Sequence, residues 1–212
     1  MLDTGTIDGA YGIGYIRLAS FQKNTNKDLD AALWNLHRLG MRSLILDLRG
    51  NPGGLLTAAV AVADKFLTQG NIVSTRGRNP QEAFRYDAHR AGTWRVPQVV
   101  LIDGDSASAS EILAAAIRHY RRGTVVGCRS YVKGSVQGIF PLSTAGTGIR
   151  LTTAKFYSPA GQPISHVGVD ADIVVQQAAR VTTDGSQALP KARSDAALNA
   201  AVSAARRQVA AR

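Results

Sequence analysis

The chain has a single cysteine, Cys128, in 212 residues, which excludes an intrachain disulfide and any zinc cluster built on cysteines. Acidic residues are scarce: 15 Asp and Glu stand against 25 Lys and Arg, leaving a net charge of +10. No apolar run approaches the roughly 18 residues that a membrane-spanning helix needs. The opening "MLDTGTIDGAYG" has no basic start, apolar middle or cleavage site of an export signal, and reads as linker. With 45% hydrophobic and 19% charged residues, the expectation is one soluble domain with one sizeable core.

The basic excess raises the question of nucleic acid, but Arg76 and Arg78, Arg118 with Arg121 and Arg122, and Arg206 with Arg207 are scattered and framed by no nucleic-acid motif. They read as solvated faces, so no nucleic-acid partner is expected.

Strand and helix patterns then alternate. "YGIGYIRLASF" reads as a strand, and "NKDLDAALWNLHRLG" as a helix with Leu29, Leu33, Leu36 and Leu39 on one stripe and His37 beside it. "RSLILDLRG" is a strand apolar on both faces, followed by the turn "NPGG". A helix from Leu55 to Phe66 and the strands "NIVSTRGR" and "PQVVLIDGD" come next, then a helix to about His119 and the strand "GTVVGC". This order predicts an α/β core with a largely parallel sheet. After Val136 the segments "QGIFPLS", "GIRLTTAKFYS" and "ADIVV" predict short antiparallel additions. From Gln176 the chain is an Ala-rich tail ending in a helix capped by Ser194 or Asp195. The domain reading is a core over 1–175 and a tail over 176–212.

Chemistry concentrates in "DSASASEILAAAIRHY", where three serines on alternate positions run into a helix. One serine suffices as a cap; a second role for the cluster is a nucleophile at the positive end of the helix dipole. Such a serine needs a base. Of the histidines, His119 lies about 15 Å away at the far end of the same helix, and a Ser-His-Asp arrangement would need His89 or His166. The other option is a desolvated lysine, and Lys133 in "SYVKGSVQG" follows the strand that returns beside the helix start. Spacing alone leaves a surface-turn lysine as the alternative.

Four blocks in order, "LILDLRGNPGG" (Leu44 to Gly54), "SASASEI" (Ser106 to Ile112), "VKGSVQ" (Val132 to Gln137) and "FYSPAGQPISHVGVDADIVV" (Phe156 to Val175), resemble the carboxy-terminal processing peptidases, or tail-specific proteases. The resemblance spans about Asp8 to Val175. It implies a crotonase/ClpP-like α/β core with a mixed sheet and flanking helices, and a Ser-Lys dyad: Ser108 as nucleophile, Lys133 as base and Gln137 orienting the lysine. Ser106 and Ser110 then become structural, with Ser110 as the helix cap. The resemblance also implies oxyanion donors at the N–H of Gly53 or Gly54 with that of Ala109, and a structural ion pair involving Arg49 and Glu111. No metal or other cofactor is implied. Two positions depart from the family: Val132 stands where Gly is common, and Asp105 brings a carboxylate towards Lys133.

The function expected is a serine endopeptidase acting on flexible protein C-termini, exported to a periplasm or similar space, with a homo-oligomer possible. Only about ten residues precede "GIGYIR", so the family's PDZ segment is expected to be absent. The alternative function is a catalytically silent peptide-binding or ligand-binding scaffold on the same fold.

Overall fold

The computed structural model describes residues 2–79, 81, 83–89, 93–142, 147–165, 167–175 and 195–211, without the side chains of residues 139 and 150. Its elements in order are β1 (Leu2–Asp8), β2 (Ile13–Leu18), α1 (Thr25–Arg38), β3 (Ser43–Asp47), α2 (Leu56–Asp64), β4 (Asn71–Gly77) and β5 (Arg85–Asp87). They continue with β6 (Gln98–Ile102), α3 (Ala109–His119), β7 (Thr124–Gly127), β8 (Ser135–Pro141), β9 (Gly148–Tyr157), β10 (Ile173–Val174) and α4 (Ala196–Ala210).

Six strands form one sheet in the order β1-β2-β3-β6-β7-β10, in which only the β1–β2 pair is antiparallel. The continuous apolar runs of β3 and β6 serve both faces, because successive side chains alternate across a strand. Leu44, Leu46, Val100 and Ile102 join the core beneath α1, α2 and α3, whereas Ile45, Val99 and Leu101 pack with Ala197, Leu198, Ala201 and Ala205 of α4. The Ala-rich terminal helix is thus a layer of the body. A second, antiparallel sheet has the order β5-β4-β9-β8.

Four differences from the sequence reading have local causes. The segment "ADIVV", expected as an antiparallel addition, supplies β10, which runs parallel to β7 with Ile173 beside Val126, because Asp172 just before it is fixed to Val125, its N–H donating to the Val125 carbonyl at 2.8 Å and its carboxylate accepting from the Val125 N–H at 2.9 Å. The opening residues form β1, paired with β2 from Leu2 opposite Leu18 to Asp8 opposite Ile13; their small polar side chains suit an edge and carry no apolar alternation. Leu39 is exposed because α1 ends at Arg38 and Leu39 is its C-cap, one step beyond the buried stripe of Leu29, Leu33 and Leu36. Of the two cap candidates for α4, Asp195 takes the role, accepting from the Leu198 N–H at 2.9 Å; Ser194 lies outside the described residues. Among the described residues no helix is long and apolar enough to cross a membrane.

The sheet sets up the site. Strands β3, β6 and β7 are parallel neighbours, with Asp47 beside Leu101 and Ile102 beside Gly127. Their carboxyl ends therefore release three loops on one side: "RGNPGG" after β3, the serine segment after β6 and the lysine loop after β7. The carboxyl edge of adjacent parallel strands is the usual place for a site in an α/β sheet.

Candidate active site

Ser108 is the N-cap of α3 and is half-buried, with φ 56° and ψ −111°. Positive φ is uncommon for a residue with a side chain, and such backbones persist where neighbours over-determine them. Ser108 itself is the cap, not Ser110: its N–H donates to Oε2 of Glu111 at 2.7 Å, and the two residues make up a capping box. Ser110 is buried one step into the helix and its hydroxyl donates to the Asn51 carbonyl at 3.0 Å. Ser106 is buried beneath the loop, donating to the Leu48 carbonyl at 2.9 Å and accepting from the Asp103 N–H. The three serines thus have three jobs, and only Ser108 stands at the mouth of the helix dipole.

Glu111 is fully buried and does not form the ion pair expected of it with Arg49. Its carboxylate instead gathers N–H and O–H donors. Oε1 accepts from the Ser130 hydroxyl at 2.6 Å and from the Val132 N–H at 2.8 Å. Oε2 accepts from Lys133 N–H at 2.9 Å in addition to Ser108. Charge-assisted bonds of this kind are shorter and stronger than neutral ones. One side chain therefore ties the start of α3 to the lysine loop. Ser130 closes the arrangement by accepting from the Val169 N–H at 2.8 Å.

The turn after β3 is held just as tightly. Asn51, fully buried, donates through Nδ2 to the Leu18 carbonyl at 2.7 Å, accepts from Gly53 N–H at 2.8 Å, and through its carbonyl accepts from Ala107 N–H at 3.0 Å. The Gly53 N–H is thereby engaged within the turn, which removes it from the oxyanion candidates. Among the described residues the N–H groups of Gly54 and Ala109 have no such partner. Gly53 has φ +102°, and a Cβ there would stand 2.9 Å from the Cβ of Ser108 and 2.9 Å from the Ala109 nitrogen. Only glycine fits this close approach.

Arg49 is almost wholly buried and lies between two carboxylates. Its Nη2 is 2.6 Å from Asp47 Oδ2 and its Nη1 is 2.7 Å from Asp195 Oδ2. Burial alone would pull the guanidinium pKa down; the hydrogen bonds and charges of Asp47 and Asp195 outweigh it and hold it above the ordinary value. The Tyr15 hydroxyl donates to Asp47 at 2.8 Å, and its pKa is raised first by burial and then by the Asp47 charge. Asp103 joins the turn to the serine loop, accepting from Gly50 N–H at 3.0 Å and from Asp105 N–H at 3.0 Å. Of these supports, Asp47, Asn51, Asp103 and Ser130 are not singled out by the sequence, and Asp195 is singled out only as a helix cap. Asp47 carried a signal, being the one charge that ends an otherwise apolar strand.

Val132 has φ +79°, so the loop keeps the left-handed geometry for which glycine is suited even though the residue is β-branched. Lys133 is exposed, not desolvated, and among the described residues its ammonium makes no hydrogen bond or ion pair, with Asp105 or any other group. Gln137, also exposed, lies on β8 beside the irregularity where Val136 faces Ala154 and Gln137 faces Thr152. Among the histidines, His89 is hydrogen-bonded to Asp64, His119 ends α3, and His37 meets Trp34 and Trp94. None of these three belongs to the serine loop, and His166 lies outside the described residues. Among the described residues no His, Cys, Asp and Glu cluster is gathered for a metal ion.

A helix-capping serine, a glycine turn against it and a loop lysine all lie at the carboxyl edge of one sheet. The chain belongs to Peptidase family S41, whose family model matches residues 12–175. The carboxy-terminal-processing protease of Bartonella bacilliformis is 48% identical over 170 residues, covering 78% of this chain and 39% of that protein. A carboxyl-terminal-processing protease of Synechocystis is 43% identical over 166 residues, covering 78% of this chain and 38% of its own length. This chain thus spans about two fifths of those relatives. Among solved structures, a photosystem II D1 C-terminal processing protease superposes with a TM-score of 0.69 at 36% identity, over 77% of this chain and 42% of that one. Mature CPAF, at 14% identity and a TM-score of 0.63, shares the fold.

Proposed function

We propose that this chain carries the catalytic centre of a serine endopeptidase that cuts flexible C-terminal regions of proteins by acyl transfer. Ser108 attacks the scissile carbonyl, Lys133 accepts its proton and returns it to the leaving amine, and Gln137 orients the lysine. Water, activated by the same lysine, then hydrolyses the acyl-enzyme. The N–H groups of Gly54 and Ala109 receive the developing oxyanion. The observation that carries the reading is the Glu111 carboxylate, which holds the N–H of Ser108 at 2.7 Å and that of Lys133 at 2.9 Å on a single oxygen. A clamp between a serine cap and a lysine loop is what a dyad needs to keep its register.

The exposure of Lys133 sets a condition. A lysine works as a base only when uncharged, and covering it with an apolar peptide disfavours the charged form. In this reading the substrate itself completes the base. Processing of protein C-termini is the activity named for the relatives, and export from the cytoplasm belongs to the same reading. The test is mass-spectrometric mapping of cuts in an unstructured peptide with an apolar C-terminus. Cleavage by the chain that is lost in Ser108→Ala supports the proposal; unchanged cleavage in that variant refutes it.

A further inference from the structure

We infer that Asp195, at the head of α4, is a positioning residue for the turn from Arg49 to Gly54. The inference rests on the reading of that turn as an oxyanion donor. Asp195 accepts two hydrogen bonds from Nη1 of Arg49, at 2.9 and 2.7 Å, and caps α4 through the Leu198 N–H at 2.9 Å. It lies outside residues 12–175, the part the family model matches.

Asp47 alone cannot fix Arg49 in space. It takes the backbone N–H, Nε and Nη2 of Arg49, but it belongs to the strand that the turn leaves, so it holds the arginine only relative to its own neighbour. Asp195 comes from a different layer, the helix packed on the α4 face of the sheet through Leu198, Ala201 and Ala205. The residue that begins the turn is therefore gripped from both sides. Charge makes the grip specific. The N-terminus of α4 carries the positive end of a helix dipole and faces a buried guanidinium. The Asp195 carboxylate stands between these two positive groups, and without it they oppose each other in a site closed to water.

The consequence is that the seating of the C-terminal helix is transmitted to the turn beside Ser108. Gly50, Asn51 and Gly53 report it, because their N–H groups bond to Asp103, to the Leu48 carbonyl and to Asn51 Oδ1.

The experiment compares amide hydrogen exchange and peptide cleavage in the chain and three variants. Asp195→Ser keeps a good helix cap but is too short to reach Arg49; Asp195→Asn keeps length and cap without the charge. Leu198→Ala thins the packing of α4 and leaves the ion pair in place. The expected result for Asp195→Ser is exchange at Gly50, Asn51 and Gly53 faster by about tenfold or more. It is accompanied by a lower kcat at a KM within about twofold, with Asp195→Asn intermediate. The turn exchange in Asp195→Ser also exceeds that in Leu198→Ala when the two are compared at equal loss of Tm. Unchanged turn exchange in Asp195→Ser, or exchange no faster than in Leu198→Ala, overturns the inference. Exchange is read without any catalysis, so its outcome is separate from that of Ser108→Ala, on which the peptidase reading stands or falls.

Discussion

Gly53 lies so close to Ser108 that a β-carbon on the glycine would stand 2.9 Å from the serine's own Cβ. The same atom would meet the Ala107 carbonyl oxygen at 2.8 Å, and φ at Gly53 is +102°. Gly53→Ala therefore forces the turn away from the serine. The expected outcome is a loss of activity of about a hundredfold or more, the scale on which oxyanion donors contribute, with a destabilisation of about 1–3 kcal/mol from crowding and strain. Steady-state kinetics and urea denaturation check both.

Glu111→Gln keeps the shape of the side chain but turns one of its two acceptor oxygens into an NH2 donor. Four donors converge on that carboxylate, so at least one or two of them lose their partner, at about 1–3 kcal/mol for each buried group left unsatisfied. The expected outcome is a lower Tm together with a kcat that falls further than stability alone explains, because Ser108 and the lysine loop lose their common anchor. A variant with full activity contradicts the clamp.

Val132→Gly places the residue suited to positive φ where valine now has φ +79°. Relief of a left-handed β-branched backbone is worth about 1–2 kcal/mol, offset by roughly 0.5–1 kcal/mol of extra unfolded-state entropy. The expected result is a small net gain in stability, up to about 1.5 kcal/mol, read as an unfolding midpoint shifted to higher urea. A loss of stability would mean that Val132 contributes packing that outweighs its strain.

Arg49→Met leaves Asp47 and Asp195 facing each other in a buried site without their shared cation. Removing one partner from a buried ion pair costs about 3–5 kcal/mol, and thermal unfolding of the variant measures it. Tyr15→Phe, which removes only the 2.8 Å bond from its hydroxyl to Asp47, is expected to cost less, about 1–2 kcal/mol.

Much of this architecture is visible in the sequence because it rests on short-range pattern. "LILDL" and "QVVLI" read as strands buried on both faces, and they are the paired centre of the sheet. The order of the four blocks also brings the glycine turn, Ser108 and Lys133 to one edge. What the sequence does not reveal depends on contacts between distant segments. Glu111 invites an ion pair with Arg49 when read as a charge in a list; in the fold it faces backbone N–H groups from a loop about twenty residues on. Asp195 reads as a helix cap, and its hold on Arg49, 146 positions away, exists only once α4 is laid against the sheet. Spacing leaves open whether Lys133 is a desolvated base or a surface-turn lysine; in the fold it is exposed, its loop held to Glu111 through the backbone N–H of Lys133 and not through the side chain.

The central claim is that Ser108 and Lys133 act as one catalytic unit. The most direct measurement is the rate of cleavage of an unstructured, apolar-tailed peptide by the chain and by Lys133→Ala, across about pH 6 to 10, where a lysine base gains its uncharged form. Activity that rises with pH in the chain and disappears at every pH in Lys133→Ala is the predicted result. A profile that survives the substitution unchanged would contradict the dyad and assign the proton transfer to another group.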